Sequence, residues 1–278
     1  MSGSSSPTPF GAPIGIFDSG VGGLSVLRAV RKQFPCHPVI YLADQGHVPY
    51  GARTKDEVRA FAVGITRFLL DQGARLIVVA CNAASAAALY HLREVFPDVP
   101  FVGMEPAVKP AAATTHSGVI GVLATPVTFQ GELYASVVAR FAKGVTVLQD
   151  VCQGLVGQIE AGNLDAPETR AILERALAPM MERGVDTVVM GCTHYPFVIP
   201  LIQHIVGPGV QVIDPAPAVA RQTGRLLEAR GWLAQCNQQA PVSFYTTGVP
   251  SQLGEMLPRL LNETHVVQYV RWESGILH

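Results

Sequence analysis

An α/β fold of two pseudo-symmetric halves, each a parallel sheet layered between helices and the two facing a shared cleft, is what the sequence predicts. Three observations carry this expectation. Short runs rich in Val and Ile alternate with longer helical stretches. Those runs fall into two series that align with each other. Finally, 49% of the 278 residues are hydrophobic against 15% charged, enough to bury one large core or two medium ones.

Taken in order, the first series is "IGIF" (14–17), "VIYLAD" (39–44), "RLIVVA" (75–80) and "FVGM" (101–104), and the second is "VIGVLA" (119–124), "VTVLQD" (145–150), "TVVMG" (187–191) and "VQVID" (210–214). Continuous apolar runs separated by helices predict parallel strands buried on both faces, in βα units. "QGARLIVVACN" aligns without a gap on "RGVDTVVMGCT", bringing Gly73 to Gly184 and Cys81 to Cys192, and the same offset carries "DVPFVGMEPAV" onto "GVQVIDPAPAV". Residues 15–108 and 121–219 therefore read as two copies of one unit. Beyond the repeat, "VSFYTTG" (242–248) and "HVVQYV" (265–270) are strand-like; they suit either an extension of one half or a small separate cap.

The net charge of −1 and pI near 6.7 leave no basic footprint for nucleic acid or an anionic membrane. The longest apolar stretch, Leu76 to Tyr90, is broken by Asn82 and Ser85 and falls short of the roughly 20 residues of a membrane span. The opening "MSGSSSPTPFGAP" has no apolar h-region and no positive charge, which predicts a disordered tail over residues 1–13, no export and a cytoplasmic protein. Five cysteines without a CxxC pair are expected to be free thiols in a reducing compartment.

Both aligned cysteines close an apolar run, at the carboxyl end of a strand, where open α/β sheets bind ligands. Alone, each reads as a small buried hydrophobe. As an equivalent pair they become two thiols approaching one cleft from opposite sides. Inverting a stereocentre that bears a hydrogen needs such a pair, one group removing the proton from one face and another returning one to the other. Cys81 precedes the Ala-rich "NAASAAALYHLREVF", whose helix dipole would favour a thiolate, with Asn82 as N-cap. His194 follows Cys192 by two residues, and Asp18 ends the first strand in "GIFDSGVGG". Gly20-x-Gly22-x-x-Ser25 followed by a strand ending in Asp44 nearly matches a dinucleotide fingerprint. Asp18 and Ser19 ahead of those glycines favour a small polar ligand over a pyrophosphate.

"DSGVGG" (18–23), "PYG" (49–51), "CNAAS" (81–85) and "GCTHYP" (191–196), in this order and spacing, closely resemble the glutamate racemase family of the cofactor-independent aspartate/glutamate racemases, over residues 14–230. The resemblance implies interconversion of L- and D-glutamate for peptidoglycan synthesis, with no cofactor and no metal. By position, Cys81 would take the α-proton of D-glutamate and Cys192 that of L-glutamate, with Asp18 assisting Cys81, and His194, paired with Glu160, assisting Cys192. Substrate binding would fall to Asp18, Ser19, Tyr50, Gly51, Asn82, Ala83, Thr193 and His194, with Thr125 and Thr128 as further hydroxyl donors. The implied division is a first domain of residues 14–108 plus 220–278 and a second of 109–219. A homodimer is the general expectation.

Two departures stand out. Ala83 occupies a position where the family usually carries a hydroxyl; one lost hydrogen bond to a carboxylate costs on the order of 1–2 kcal/mol. "QGLVGQ" after Cys152 lacks the family's proline and bulkier apolar residues, which loosens the assignment of Glu160. The rival chemistries are racemisation of aspartate, a Cys/His hydrolase using Cys192 and His194, and a binding module with Cys81, Cys192 and His194 on zinc. A nucleophile and base two residues apart on a loop are expected to face each other poorly.

Overall fold

In the computed structural model, which describes residues 11–278, the two strand series build two separate parallel sheets. The first half runs β1 (Ile14–Asp18), α1 (Leu24–Gln33), β2 (Val39–Ala43), α2 (Lys55–Asp71), β3 (Leu76–Val79), α3 (Asn82–Val95) and β4 (Phe101–Val102); α4 (Val108–Thr114) follows and packs against the second half. The second runs β5 (Val119–Ala124), α5 (Pro126–Gln130), α6 (Glu132–Phe141), β6 (Thr146–Asp150), α7 (Leu155–Glu160), α8 (Pro167–Glu182), β7 (Thr187–Gly191), α9 (Ile199–Val206) and β8 (Gln211–Ile213). The chain ends with α10 (Ala216–Ala229), β9 (Val242–Thr246), α11 (Pro250–Leu261), β10 (Val267–Tyr269) and a hairpin of β11 (Trp272–Glu273) and β12 (Ile276–Leu277).

The sheets are ordered β10-β9-β2-β1-β3-β4 and β6-β5-β7-β8. The four strands of each copy thus keep one order, second-first-third-fourth, as the sequence repeat requires. All pairs within both sheets are parallel. Every residue of β1, β2, β3 and β7 is buried, which explains their unbroken apolar sequences. The two strand-like segments beyond the repeat, β9 and β10, extend the first sheet from β2 and do not form a separate cap. No described helix is long and apolar enough to cross a membrane.

Two expectations need correction. Residues 1–10 of the expected tail lie outside the described residues, and residues 11–13 pack on the fold: Arg75 N–H donates to the Pro13 carbonyl at 3.2 Å, and Gly11 lies against Ala234 and His37. Cys36 and Cys236 are not free thiols. They form a disulfide with Cα atoms 5.4 Å apart across a sequence separation of 200, joining the loop after α1 to the segment after α10. Wide spacing in sequence hides such a pair, because the fold alone brings the ends together.

Strand β7 closes on β5 at a single glycine. A Cβ on Gly191 would lie 2.7 Å from the Ala124 Cβ and 3.0 Å from the Leu123 carbonyl oxygen, neither of which can swing aside. Gly191→Ala is expected to destabilise the protein by about 1–3 kcal/mol, read as a lowered urea midpoint at unchanged m-value.

Candidate active site

Both aligned cysteines emerge at the carboxyl ends of their strands and are buried. Together they line one cavity of only about 20 Å³, room for about one water molecule. Ser19, Tyr50, Gly51, Asn82, Ala83, Thr125, Thr193 and His194 line it too. One half therefore brings its thiol on the β3–α3 turn and the other on the turn after β7.

Their surroundings differ. Cys81 itself, not Asn82, is the N-cap of α3, and its Sγ accepts the Ala84 N–H at 3.4 Å. Burial, reinforced by the charge of Asp18, nonetheless holds this thiol well above its ordinary range; the Ala84 N–H and Ser19 hydroxyl offset only part. Burial thus works against the thiolate expected at the helix start. Cys192 has its histidine close, with His194 Nδ1 3.7 Å from Sγ. Two residues apart do face each other here, contrary to the expectation, because the chain turns sharply into a 3₁₀ segment at Tyr195–Val198. His194 Nε2 lies 2.6 Å from Glu160 Oε1. Burial works against protonation of His194, but hydrogen bonds to Cys192 and Glu160 outweigh it and hold the imidazole well above its ordinary value. Burial also opposes the Glu160 charge, and His194 in turn holds that carboxyl below the usual range.

The glycine-rich loop is the seat of this dyad. Glu160 Oε1 accepts the Val21 N–H at 2.8 Å. A Cβ on Gly20 would lie 1.9 Å from that same oxygen, one on Gly22 2.5 Å from His194 Nδ1, and one on Gly23 2.7 Å from the Asp18 Cβ. Close approach, not backbone freedom, demands these glycines. A carboxylate fills the place a pyrophosphate would need, and Ser25, at the third fingerprint position, donates to the Thr193 carbonyl at 3.0 Å. Asp44, the fingerprint acid, is buried and fully engaged by other donors. The dinucleotide reading falls on all three counts.

Asp18 stands behind the cavity, not on its wall. It is 0% exposed; Oδ2 accepts from Thr193 Oγ1 at 2.9 Å and Oδ1 from the Gly20 N–H at 2.7 Å. Burial pushes its carboxyl up to about 6, against the pull of His194. Thr193 thereby ties the halves together and lines the cavity at once. Ser19 Oγ is 3.9 Å from Cys81 Sγ and 3.4 Å from Asp18 Oδ1. Asn82 is 3% exposed, and neither its amide oxygen nor its nitrogen has a partner. Such a buried amide in a cavity wall calls for a polar ligand. Tyr50 lines the cavity, and its hydroxyl donates to Asp44 at 2.6 Å. The Thr125 and Thr128 hydroxyls lie 3.1 Å from each other, and only Thr125 reaches the cavity.

Two contributors escaped the sequence reading. Gln45 joins Glu160 Oε2, at 3.3 Å, to Thr246 in β9, at 2.9 Å. Ser85 donates to the Val79 carbonyl and accepts the Met104 N–H, fixing α3 against the ends of β3 and β4. Neither residue carries a signal beyond its polarity. Among the described residues no group of three or more His, Cys, Asp or Glu side chains is disposed to hold a metal ion.

Residues 24–223 match the family described as Asp/Glu/Hydantoin racemase. The glutamate racemase of Pseudomonas aeruginosa is 51% identical over 249 residues, covering 90% of this chain and 94% of its own. That of a Roseiflexus species is 49% identical over 249 residues, covering 89% and 92%. The solved Escherichia coli glutamate racemase, in complex with L-glutamate and the activator UDP-MurNAc-Ala, matches with a TM-score of 0.82 at 31% identity over 93% of this chain and 98% of that one.

Two titrations test the electrostatics. Folded His194 holds its proton more tightly than the unfolded chain does, so its stabilisation is full below about pH 6.5 and is lost as pH rises through the folded value. Glu160→Gln should lower the His194 titration midpoint in NMR of the ring carbons. Asp18 shares the sign, because its folded value of about 6 exceeds the ordinary 3.8. Its contribution, on the order of 3 kcal/mol, is present below that ordinary value and lost by the time pH has risen past the folded one. Asp18→Asn should flatten that part of the stability–pH curve in denaturant titrations.

Proposed function

The chain belongs to the Asp/Glu/hydantoin racemase family and is an amino-acid racemase, an isomerase, and from that premise we propose that it interconverts L- and D-glutamate by proton transfer between two opposed thiols. The observation that carries this reading is that Cys81 and Cys192, from equivalent strand ends of the two halves, line one cavity. Glutamate is the substrate named for its relatives at about half identity, and D-glutamate so formed would serve peptidoglycan synthesis.

In the direction from L- to D-glutamate, Cys192 removes the α-proton, with His194 exchanging protons at its sulfur and Glu160 holding the imidazole in line. Cys81, kept as a thiol by burial, returns a proton to the opposite face. In reverse the roles exchange, and Asp18 with Ser19 adjusts the proton at Cys81. The Asn82 amide, with no partner of its own, and the N–H groups of the Gly51 and Ala83 turns meet the carboxylates. Ala83 leaves only its backbone for that task. A cavity of about 20 Å³ does not admit the substrate, so binding requires its walls to move apart.

A Cys/His hydrolase on Cys192 and His194 alone has support in their 3.7 Å approach, and the test must separate it. Proton exchange at Cα is followed by NMR in D₂O with L-glutamate, D-glutamate and L-aspartate, for wild type, Cys81→Ser and Cys192→Ser. Racemisation is expected to fall by a factor on the order of 10²–10⁴ in both variants. Residual exchange should be confined to D-glutamate in Cys192→Ser and to L-glutamate in Cys81→Ser. Undiminished turnover without Cys81 would sink the two-thiol reading.

A further inference from the structure

Outside the proposed proton path, the carboxylate of Asp44, just after β2, is held by four donors. It is buried. Its Oδ2 accepts from Tyr50 Oη at 2.6 Å and lies 2.9 Å from His47 Nδ1; its Oδ1 accepts from Thr247 Oγ1 at 2.7 Å and from Trp272 Nε1 at 3.0 Å. An ionised carboxylate only accepts, so His47 Nδ1 carries a hydrogen. Four donors converge here, two from the following loop that carries Tyr50 and Gly51 and two from distant stretches of chain, the turn after β9 and the C-terminal hairpin.

Aromatic rings wrap the same point. The His47 ring stacks on Phe61, centroids 3.9 Å apart and planes 13° from parallel. Trp272 approaches His47 at 5.7 Å and Phe61 at 5.9 Å, and Tyr50 meets Phe61 at 5.7 Å. Helix α2 leaves a seat for the indole at Gly64, where a Cβ would lie 2.5 Å from Trp272 Cζ3. The hairpin is closed by paired backbone bonds between Arg271 and His278, both at 2.9 Å.

We propose that Asp44 and Trp272 are positioning residues that hold the Tyr50–Gly51 loop against the substrate cavity, so that the C-terminal hairpin sets substrate affinity from outside the site. The Tyr50 hydroxyl is spent on Asp44, which fixes the residue where it meets the cavity; Gly51 follows on the same turn and presents its backbone there. The indole N–H completes the donor set that keeps the carboxylate in place. Loss of that one donor leaves Asp44 buried with three, free to shift, and the loop shifts with it. The proposal rests on the reading of this cavity as the glutamate site.

The experiment is steady-state racemisation of both enantiomers with Trp272→Phe, which keeps a ring but removes the N–H, with Asp44→Asn, and with Glu273→Gln on the same hairpin as a control. Thermal midpoints are measured alongside. Trp272→Phe should raise KM for L- and D-glutamate about five- to tenfold while kcat stays within about twofold. Tyr50→Phe should give a similar rise, and the double variant less than the product of the two. Glu273→Gln should match wild type. A folded Trp272→Phe with wild-type KM, or with kcat lowered at constant KM, would overturn the proposal even if Asp44→Asn fails to fold. A wild-type protein that racemises neither enantiomer would overturn the underlying site reading, and the proposal with it.

Discussion

The contact between the His194–Glu160 pair and the glycine loop is the constraint from which the site's arrangement follows. Glu160 stands on the second half of the chain, yet one of its oxygens bonds both His194 and the Val21 N–H of the first half. That contact sets the spacing of the halves. It also explains two of the loop's three glycines, since any side chain at Gly20 or Gly22 would displace the dyad, while Gly23 makes room for Asp18. Thr193 adds a second tie, through its hydroxyl to Asp18 and its carbonyl from Ser25. The loop that looked like a nucleotide cradle is a saddle for a carboxylate and an imidazole.

How much of this was legible follows from where the physics is written. The strands are written in the local pattern: "TVVMG" and "VIGVLA" became β7 and β5 with the bounds their apolar runs suggested. The repeat appears as alignment, so the common strand order of the sheets was implicit in it. The cysteines were legible because equivalence in sequence became equivalence in place. The Cys36–Cys236 bridge, Gln45 and Ser85 were not, since each acts through a partner far along the chain or through a backbone group that every residue carries. Asn82 shows the limit in another form. Its capping role was argued from local propensity, but the cysteine before it took the cap, leaving the amide buried and unpartnered beside the thiols.

Duplication supplies two thiols by symmetry, and the surroundings then break that symmetry. Cys192 has beside it an imidazole whose affinity for a proton is raised, whereas Cys81 has a helix N–H, a serine and a buried acid. On the proposed chemistry this unevenness has a definite scope. The enantiomers of an amino acid have equal free energy in water, so the ratio of kcat/KM in the two directions equals one whatever the protein does. Asymmetry between the thiols can therefore change kcat and KM separately, but only in compensation. What it does set is the proton inventory: burial opposes ionisation of Cys81, which suits that thiol to the acid role it takes in the direction from L- to D-glutamate. After each turnover in that direction the proton gained at Cys192 must leave and the one given by Cys81 must be replaced. His194 bonded to Glu160 on one side, and Asp18 with a carboxyl value near 6 on the other, are the groups placed to make that return fast near neutral pH.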